Sequence, residues 1–235
     1  EQKRKLKNQG IQIEIDVCGE RVRESESEKL LGLVINEEMT WKHYLYGEKW
    51  REDKKDNFPG LIPKLTKRMG LLKHLRNKMC DKTYNLISSG IFNSLLIYCL
   101  NVFGNVWQNE DDKNMRFRAF AKNDLKRLQI LQNQTLRLKL RTSKYTSCKD
   151  LVNQSGELSV HQLIALHTLL QVHKVVLKKK PVYIFDQFSL KLPENARIFP
   201  HRQELTIPIN TKLSISRSSF LTRSAKWWTS QYAVL

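Results

Sequence analysis

The sequence predicts an α+β chain that is mainly α, with an N-terminal β-hairpin, a bundle of helices, and a helical to irregular C-terminal region. Three observations carry that reading. Ile11, Ile13, Ile15 and Val17 alternate with Gln12, Glu14 and Asp16, the period of two that marks a half-buried strand. Between Leu61 and Lys178 apolar residues return at spacings of three and four, as on helices with one buried face. After Pro181 that period fades into short extended pieces and a Ser/Arg-rich stretch at Ser214 to Ser224.

Taken in order, the first strand turns at Cys18, Gly19 and Glu20, and a second extended segment follows at Lys29 to Ile35, around Gly32. The two read together as one hairpin, whose glycine lets another backbone approach. This occupies segment 1–46, and the charged, Pro59-broken stretch 47–60 reads as a linker. Segment 61–150 is expected to be a basic helical domain. Its first helix, 61–79, presents Leu61, Leu65, Met69, Leu72, Leu75 and Met79 on one stripe, with Lys67, His74 and Lys78 on the far face. Asp81 can cap a second helix carrying Leu86, Ile87, Ile91, Leu95 and Tyr98. A long helix over 114–140 aligns Phe117, Phe120, Ala121, Leu125, Leu128, Leu131, Thr135 and Leu138, and sets Lys122, Lys126, Asn133 and Arg137 opposite. In segment 151–235, Ser159 and Gln162 form a capping box for a helix that runs to Lys178, where Pro181 prevents its extension. Leu205 to Ile209 reads as extended, and Trp227 and Trp228 as a docked or partner-seeking end.

The charge is large and uneven. Of 235 residues, 40% are apolar, enough for a real core, while 41 Lys and Arg face 23 Asp and Glu for a net +18. Residues 1–60 hold 12 basic and 13 acidic side chains, so the excess lies beyond them, and Lys113 to Lys149 has 11 basic residues opposed only by Asp124. Segregation on that scale points to a polyanionic partner rather than to an acidic small molecule. Four well-separated cysteines, without a CxxC pair, fit a reduced intracellular protein, nuclear or cytoplasmic. The apolar stretch Ile91 to Trp107 is broken by Asn93, Ser94, Asn101, Gly104 and Asn105 and falls short of a bilayer span of about 20 residues, so no membrane partner is expected. An opening Glu1 without a signal peptide suggests a piece of a longer protein.

No catalytic or metal site emerges. His161, His167 and His173 are six apart, so each step turns the helix by about 240° and they point in three directions. Glu110, Asp111 and Asp112 sit in a polar connection rather than at the end of an apolar strand. A Gly-rich phosphate loop, a GxSxG elbow and a Cys/His pair are all lacking.

Several stretches resemble one family in one order. Glu28-Lys29-Leu30-Leu31-Gly32-Leu33-Val34-Ile35, followed by Met39-Thr40-Trp41-Lys42-His43, resembles the K-x-L-G…L-T-W-x-x-H end of the palm in reverse transcriptases of non-LTR retrotransposons, the jockey-like group above all. Leu65 to Leu72 is similar to that family's first thumb helix. Ser94 to Cys99 with Val106-Trp107 matches its S-L-I…Y-C…V-W segment at a shortened spacing. Leu125, Leu128, Gln129, Gln132 and Asn133 match L-x-x-L-Q-x-x-Q-N, the most specific of these motifs. Leu158-Ser159-Val160 departs from the usual L-P-V, and Arg217 to Trp228 is similar to the closing segment, with Trp228-Thr229 in place of its asparagine. The resemblance spans roughly residues 11 to 230.

It implies a palm-end hairpin, a thumb bundle, and a fragment of an RNA-directed DNA polymerase that grips a template-primer duplex of RNA and DNA. Leu31 and Gly32 would form the primer grip. Fingers and most of the palm, with an aromatic-x-Asp-Asp strand and its two Mg ions, would precede residue 1, as would an endonuclease. No cofactor is then expected in this chain, and alone it should not polymerise. Lys67, Lys78, Lys126, Arg127, Arg137 and Arg141, being basic and off the apolar stripes, are the expected phosphate contacts, giving a log-log salt slope of about −5. The rival reading is a co-opted or decayed helical scaffold whose basic surface is incidental. An independent hydrolase lacks a site.

Overall fold

The structure, a computed structural model, describes residues 14–23, 25, 27–36, 41–47, 58–104, 122–191, 204–206, 224, 225 and 228. Ile11, Ile13, Thr40, Val106-Trp107, Glu110 to Asp112, Phe117, Phe120, Ala121, 207–223 and Trp227 lie outside the described residues. The described part is mainly helical with small antiparallel hairpins, the α+β, mainly α class that the periodicities predict.

Strand β1 (Glu14–Val17) pairs with β2 (Glu20–Arg23), and β3 (Ser27–Leu30) with β4 (Leu33–Asn36). The single long hairpin read from the sequence is therefore two tight ones. A two-residue loop closes at less entropic cost than one bridging Val17 to Lys29. Both central residues of each loop have positive φ, 54° and 87° at Cys18-Gly19, and 48° and 83° at Leu31-Gly32. That conformation carries the twist that paired strands need. Gly32 is thus a turn residue, not a site of close backbone approach, and a Cβ on it would come no nearer than 3.8 Å to Tyr98. β1 does not bury its apolar face, since Ile15 and Val17 are 61% and 52% exposed. The second hairpin enters the core through Leu33 and Val34.

Helix α1 (Lys42–Tyr46) buries Tyr44 and Leu45, and Tyr44 stacks on Phe58 at 5.9 Å and packs against Phe103 at 5.0 Å. Phe58 lies in the stretch expected to be a linker, yet it belongs to the core, and the ends of that stretch touch. A Cβ on Gly60 would sit 2.3 Å from the Gly47 nitrogen, so that approach needs glycine. Helix α2 (Leu61–Leu75) buries Leu61, Leu65 and Leu72 as expected but stops four residues early, continuing as turns through Lys78.

Helix α3 (Asp81–Ser88), a π-helical turn (Ser89–Asn93), α4 (Ser94–Ile97) and α5 (Leu100–Phe103) follow. Asp81 opens α3 from its first turn, whereas Cys80 holds the N-cap position. The buried row is Tyr84, Ser88, Phe92, Leu96 and Leu100, each four from the last. The expected stripe was out of phase: Leu86 is 75% and Tyr98 47% exposed. A spacing of four drifts by about 40° per step on an α-helix, and the wider π turn winds the drift back. By length and composition alone Asp81–Phe103 meets the measure of a membrane span, which the shorter stretch 91–107 does not, and its run is broken at Cys99.

Helix α6 (Lys122–Leu140) packs on α2 and α3, and also on α7 (Cys148–Ser155) and α8 (Val160–Lys178). It buries Leu128, Leu131 and Thr135 of the expected stripe, but Gln132, Asn133 and Leu136 as well. The expectation of one greasy and one basic face therefore fails at Asn133. Ser159 and Gln162 form the expected capping box, and α8 ends at Lys179 with φ 51°. After α9 (Val182–Phe185), β5 (Ser189–Lys191) pairs with β6 (Glu204–Thr206).

One core joins Val34, Leu45, Phe58, Leu65, Phe92, Leu128 and Ile164, so the expected divisions at 46/47, 60/61 and 150/151 all run through it. A second, smaller cluster holds Val172, Val175, Phe188, Ala225 and Trp228, with Trp228 stacked on His173.

Candidate nucleic-acid interface

The six expected phosphate contacts do not converge on one spot. Lys67 and Lys78 are exposed on and just after α2, and the Lys78 ammonium lies 3.1 Å from His74 Nε2. Lys126 and Arg127 are exposed near the start of α6, with the Arg127 guanidinium 5.3 Å from the centre of the Tyr46 ring. The Tyr46 hydroxyl donates to Asp124, and burial together with that bond pushes its pKa up to about 12. Arg137 and Arg141 lie at the other end of α6, and about 1.5 Å per residue puts Arg141 roughly 22 Å from Lys126 along the axis.

Arg137 is not free. It is half-buried, its Nη2 donates to the Thr146 carbonyl at 3.0 Å, and its Nε is buried without a hydrogen bond. Arg141 is 60% exposed but turns toward Asp81 at 3.6 Å. Its neighbour Lys139 is ion-paired with Glu157 at 2.7 Å. Basic residues of the last turns of α6 thus hold the fold together, as befits cations at the negative end of a helix.

Arg76, which periodicity does not single out, does the same from α2's end. It is 6% exposed and donates from Nε to the Leu138 carbonyl at 2.6 Å and from Nη2 to the Lys139 carbonyl at 3.2 Å. Nη2 also reaches Asp81 at 2.8 Å, and the guanidinium lies over Tyr84. The last carbonyls of α6 lack partners within the helix, and an arginine from 62 residues away supplies them. Arg76 holds the Asp81 carboxyl below the ordinary carboxylate range through that hydrogen bond and its charge.

The polar residues of the L-x-x-L-Q-x-x-Q-N motif also have an architectural job. The Gln129 amide donates to Gln132 at 2.8 Å and Asn133 at 2.9 Å, and its oxygen accepts the Val160 N–H at 2.8 Å. Gln132 donates to the Leu158 carbonyl at 2.8 Å, and Asn133 to the Cys148 sulfur at 3.0 Å. These bonds clamp α6 to the entry of α8 and to α7.

Leu31 and Gly32 come together with residues from distant elements. Leu31 is 82% exposed at the hairpin tip, and its carbonyl accepts the Tyr98 hydroxyl at 2.6 Å. On α2, one turn apart, are Lys64 and Arg68, and the charges of Lys29 and Arg68 both act on Lys64. Burial first, and those two like charges second, lower the Lys64 pKa. Its ammonium rests 4.0 Å from the centre of the Phe58 ring. Lys29, two residues before the exposed turn, and Lys64 thus bring two cations from two elements together, while Arg68 is engaged through Nη1, which donates to the Ile91 carbonyl. Lys29 was legible within the hairpin motif, but nothing local in sequence marks its partnership with Lys64 across an intervening helix. Among the described residues no group of three His, Cys, Asp or Glu side chains could hold a metal ion. No protein-family model, curated protein or solved structure matches this chain.

Proposed function

We propose that this chain grips an RNA/DNA duplex as the palm-end and thumb part of a reverse transcriptase of the non-LTR retrotransposon type. The single observation that carries the reading is the exposed Leu31-Gly32 turn, with Lys29 two residues before it and Lys64 of α2 close enough to Lys29 for their like charges to act on one another. Like charges held close together destabilise a fold unless a polyanion neutralises them, and phosphates do so without reading bases. Lys67, Lys78, Lys126 and Arg127 extend the positive surface over α2 and α6. The proposal assigns binding to these residues, and phosphoryl transfer to none of them. Anisotropy titration of a labelled RNA/DNA hybrid tests it: hybrids of unrelated sequence should bind alike and weaken steeply with salt. Affinity that does not change with salt rejects it.

A second reading, a helical scaffold, draws on one observation of its own: Arg76, Arg137 and Lys139 serve internal carbonyls and Glu157. It expects no retention of nucleic acid at physiological salt.

A further inference from the structure

We infer that Tyr98 is the positioning residue for the Leu31-Gly32 turn, setting the pose in which that turn meets the duplex; the inference rests on the binding reading above. The hydroxyl reaches the Leu31 carbonyl across 67 residues of sequence at 2.6 Å, and the ring edge lies 3.8 Å from where a Gly32 Cβ would be. Both ends of this bond are unusual. Leu31 takes a φ of 48°, which β-hairpin turns normally give to Gly, Asn or Asp, and it is a large apolar residue left 82% exposed. Cys99, directly after Tyr98, takes a φ of 53° and breaks the helical run between α4 and α5. Left-handed non-glycine residues are unfavourable by about 1 kcal/mol or more each, and they persist where surrounding structure holds them and tend to gather at ligand sites. Here two of them flank one hydrogen bond. The break at Cys99 leaves Tyr98 47% exposed beside the hairpin, and the bond ties the turn to the junction of α4 and α5, which Leu96 and Leu100 anchor in the core on either side. Leu33 and Val34 seat the hairpin in the core, so what the bond fixes is the exposed two-residue tip, which among the described residues has no hydrogen bond across the fold other than that to Tyr98.

The test uses the full chain, a labelled RNA/DNA hybrid, and Tyr98→Phe, which removes only the hydroxyl. Hybrid affinity should fall about fivefold to tenfold, the range one hydrogen bond supports, while the melting temperature barely moves. Amide exchange at Leu31 to Leu33 should quicken in the free protein. A double-mutant cycle gives the readout that a merely structural role would not move: in a Leu31→Ala background Tyr98→Phe should cause little further loss, because both act through the turn. Equal affinity for wild type and Tyr98→Phe, or strictly additive losses, overturns the inference while leaving the binding reading intact. Failure of the wild type to bind any hybrid overturns both.

Discussion

Charge reversal on α6 separates gripping cations from structural ones, and the structure supplies the magnitudes. Of the six cations expected to meet phosphates, Arg137 donates to Thr146 and Arg141 faces Asp81, which leaves Lys67, Lys78, Lys126 and Arg127. At about 0.9 per phosphate contact, these four together with Lys29 and Lys64 at the hairpin give a log-log salt slope of about −5. Each lost contact weakens binding by about fivefold at 0.15 M monovalent salt, by the same relation. Lys126→Glu should therefore lower hybrid affinity about fivefold or somewhat more, reduce the slope by about one, and leave the urea midpoint unchanged, because the side chain is exposed. Arg137→Glu should behave in the opposite way. It removes the bond to the Thr146 carbonyl and places a carboxylate near the negative end of α6, a loss of about 2–3 kcal/mol in folding stability. Its slope should match the wild type wherever the variant is folded. Anisotropy titrations at several salt concentrations, paired with urea unfolding, read both quantities. A slope unchanged by Lys126→Glu, or an unchanged midpoint for Arg137→Glu, refutes the division of labour along this helix.

Arg76→Met should destabilise the chain by about 3–5 kcal/mol, since it strands two carbonyls at the end of α6 that now accept charged donors, and a melting temperature lower by about 10 °C would register it. Asp81, held below its ordinary pKa by Arg76, contributes stability that is present above the ordinary carboxylate pKa of about 3.9 and is lost as pH falls through the lower folded value; Asp81→Asn should flatten that part of the acid-unfolding curve. Cys80 sits at the N-cap of α3 with its thiol pKa lowered chiefly by a hydrogen bond with the Thr83 hydroxyl, so iodoacetamide at neutral pH should label it before the exposed Cys18 and Cys148, as peptide mass mapping would show.

What could be read from sequence were features carried by neighbours in the chain. The capping box at Ser159 and Gln162, the stripe of α2, and the turn at Cys18-Gly19 all depend on residues within a few positions of one another. The phase of α3 is not legible in the sequence because a buried row at constant spacing of four belongs to neither simple period, and only the π turn at Ser89–Asn93 makes it straight. Arg137 looked free because helical angle places it opposite Leu128 and Leu131, but a helix packed from more than one side has no free face there. The site suffered most, since its defining proximities, Tyr98 to Leu31 and Lys64 to Lys29, link residues separated by whole elements. Charge segregation pointed to a class of partner but could not say which cations the fold would use for itself.

Helix α8 enters the large core with Val160 and Ile164 and leaves through the small one with Val172 and Val175, and the buried Thr168 lies between. It is a shared beam. The lesser cluster, with few buried side chains and a partner in Trp228 from far along the chain, should loosen first on warming, while the half of the beam seated on α6 stays rigid. Heating would then peel the molecule from its C-terminal end inward, in two steps rather than one.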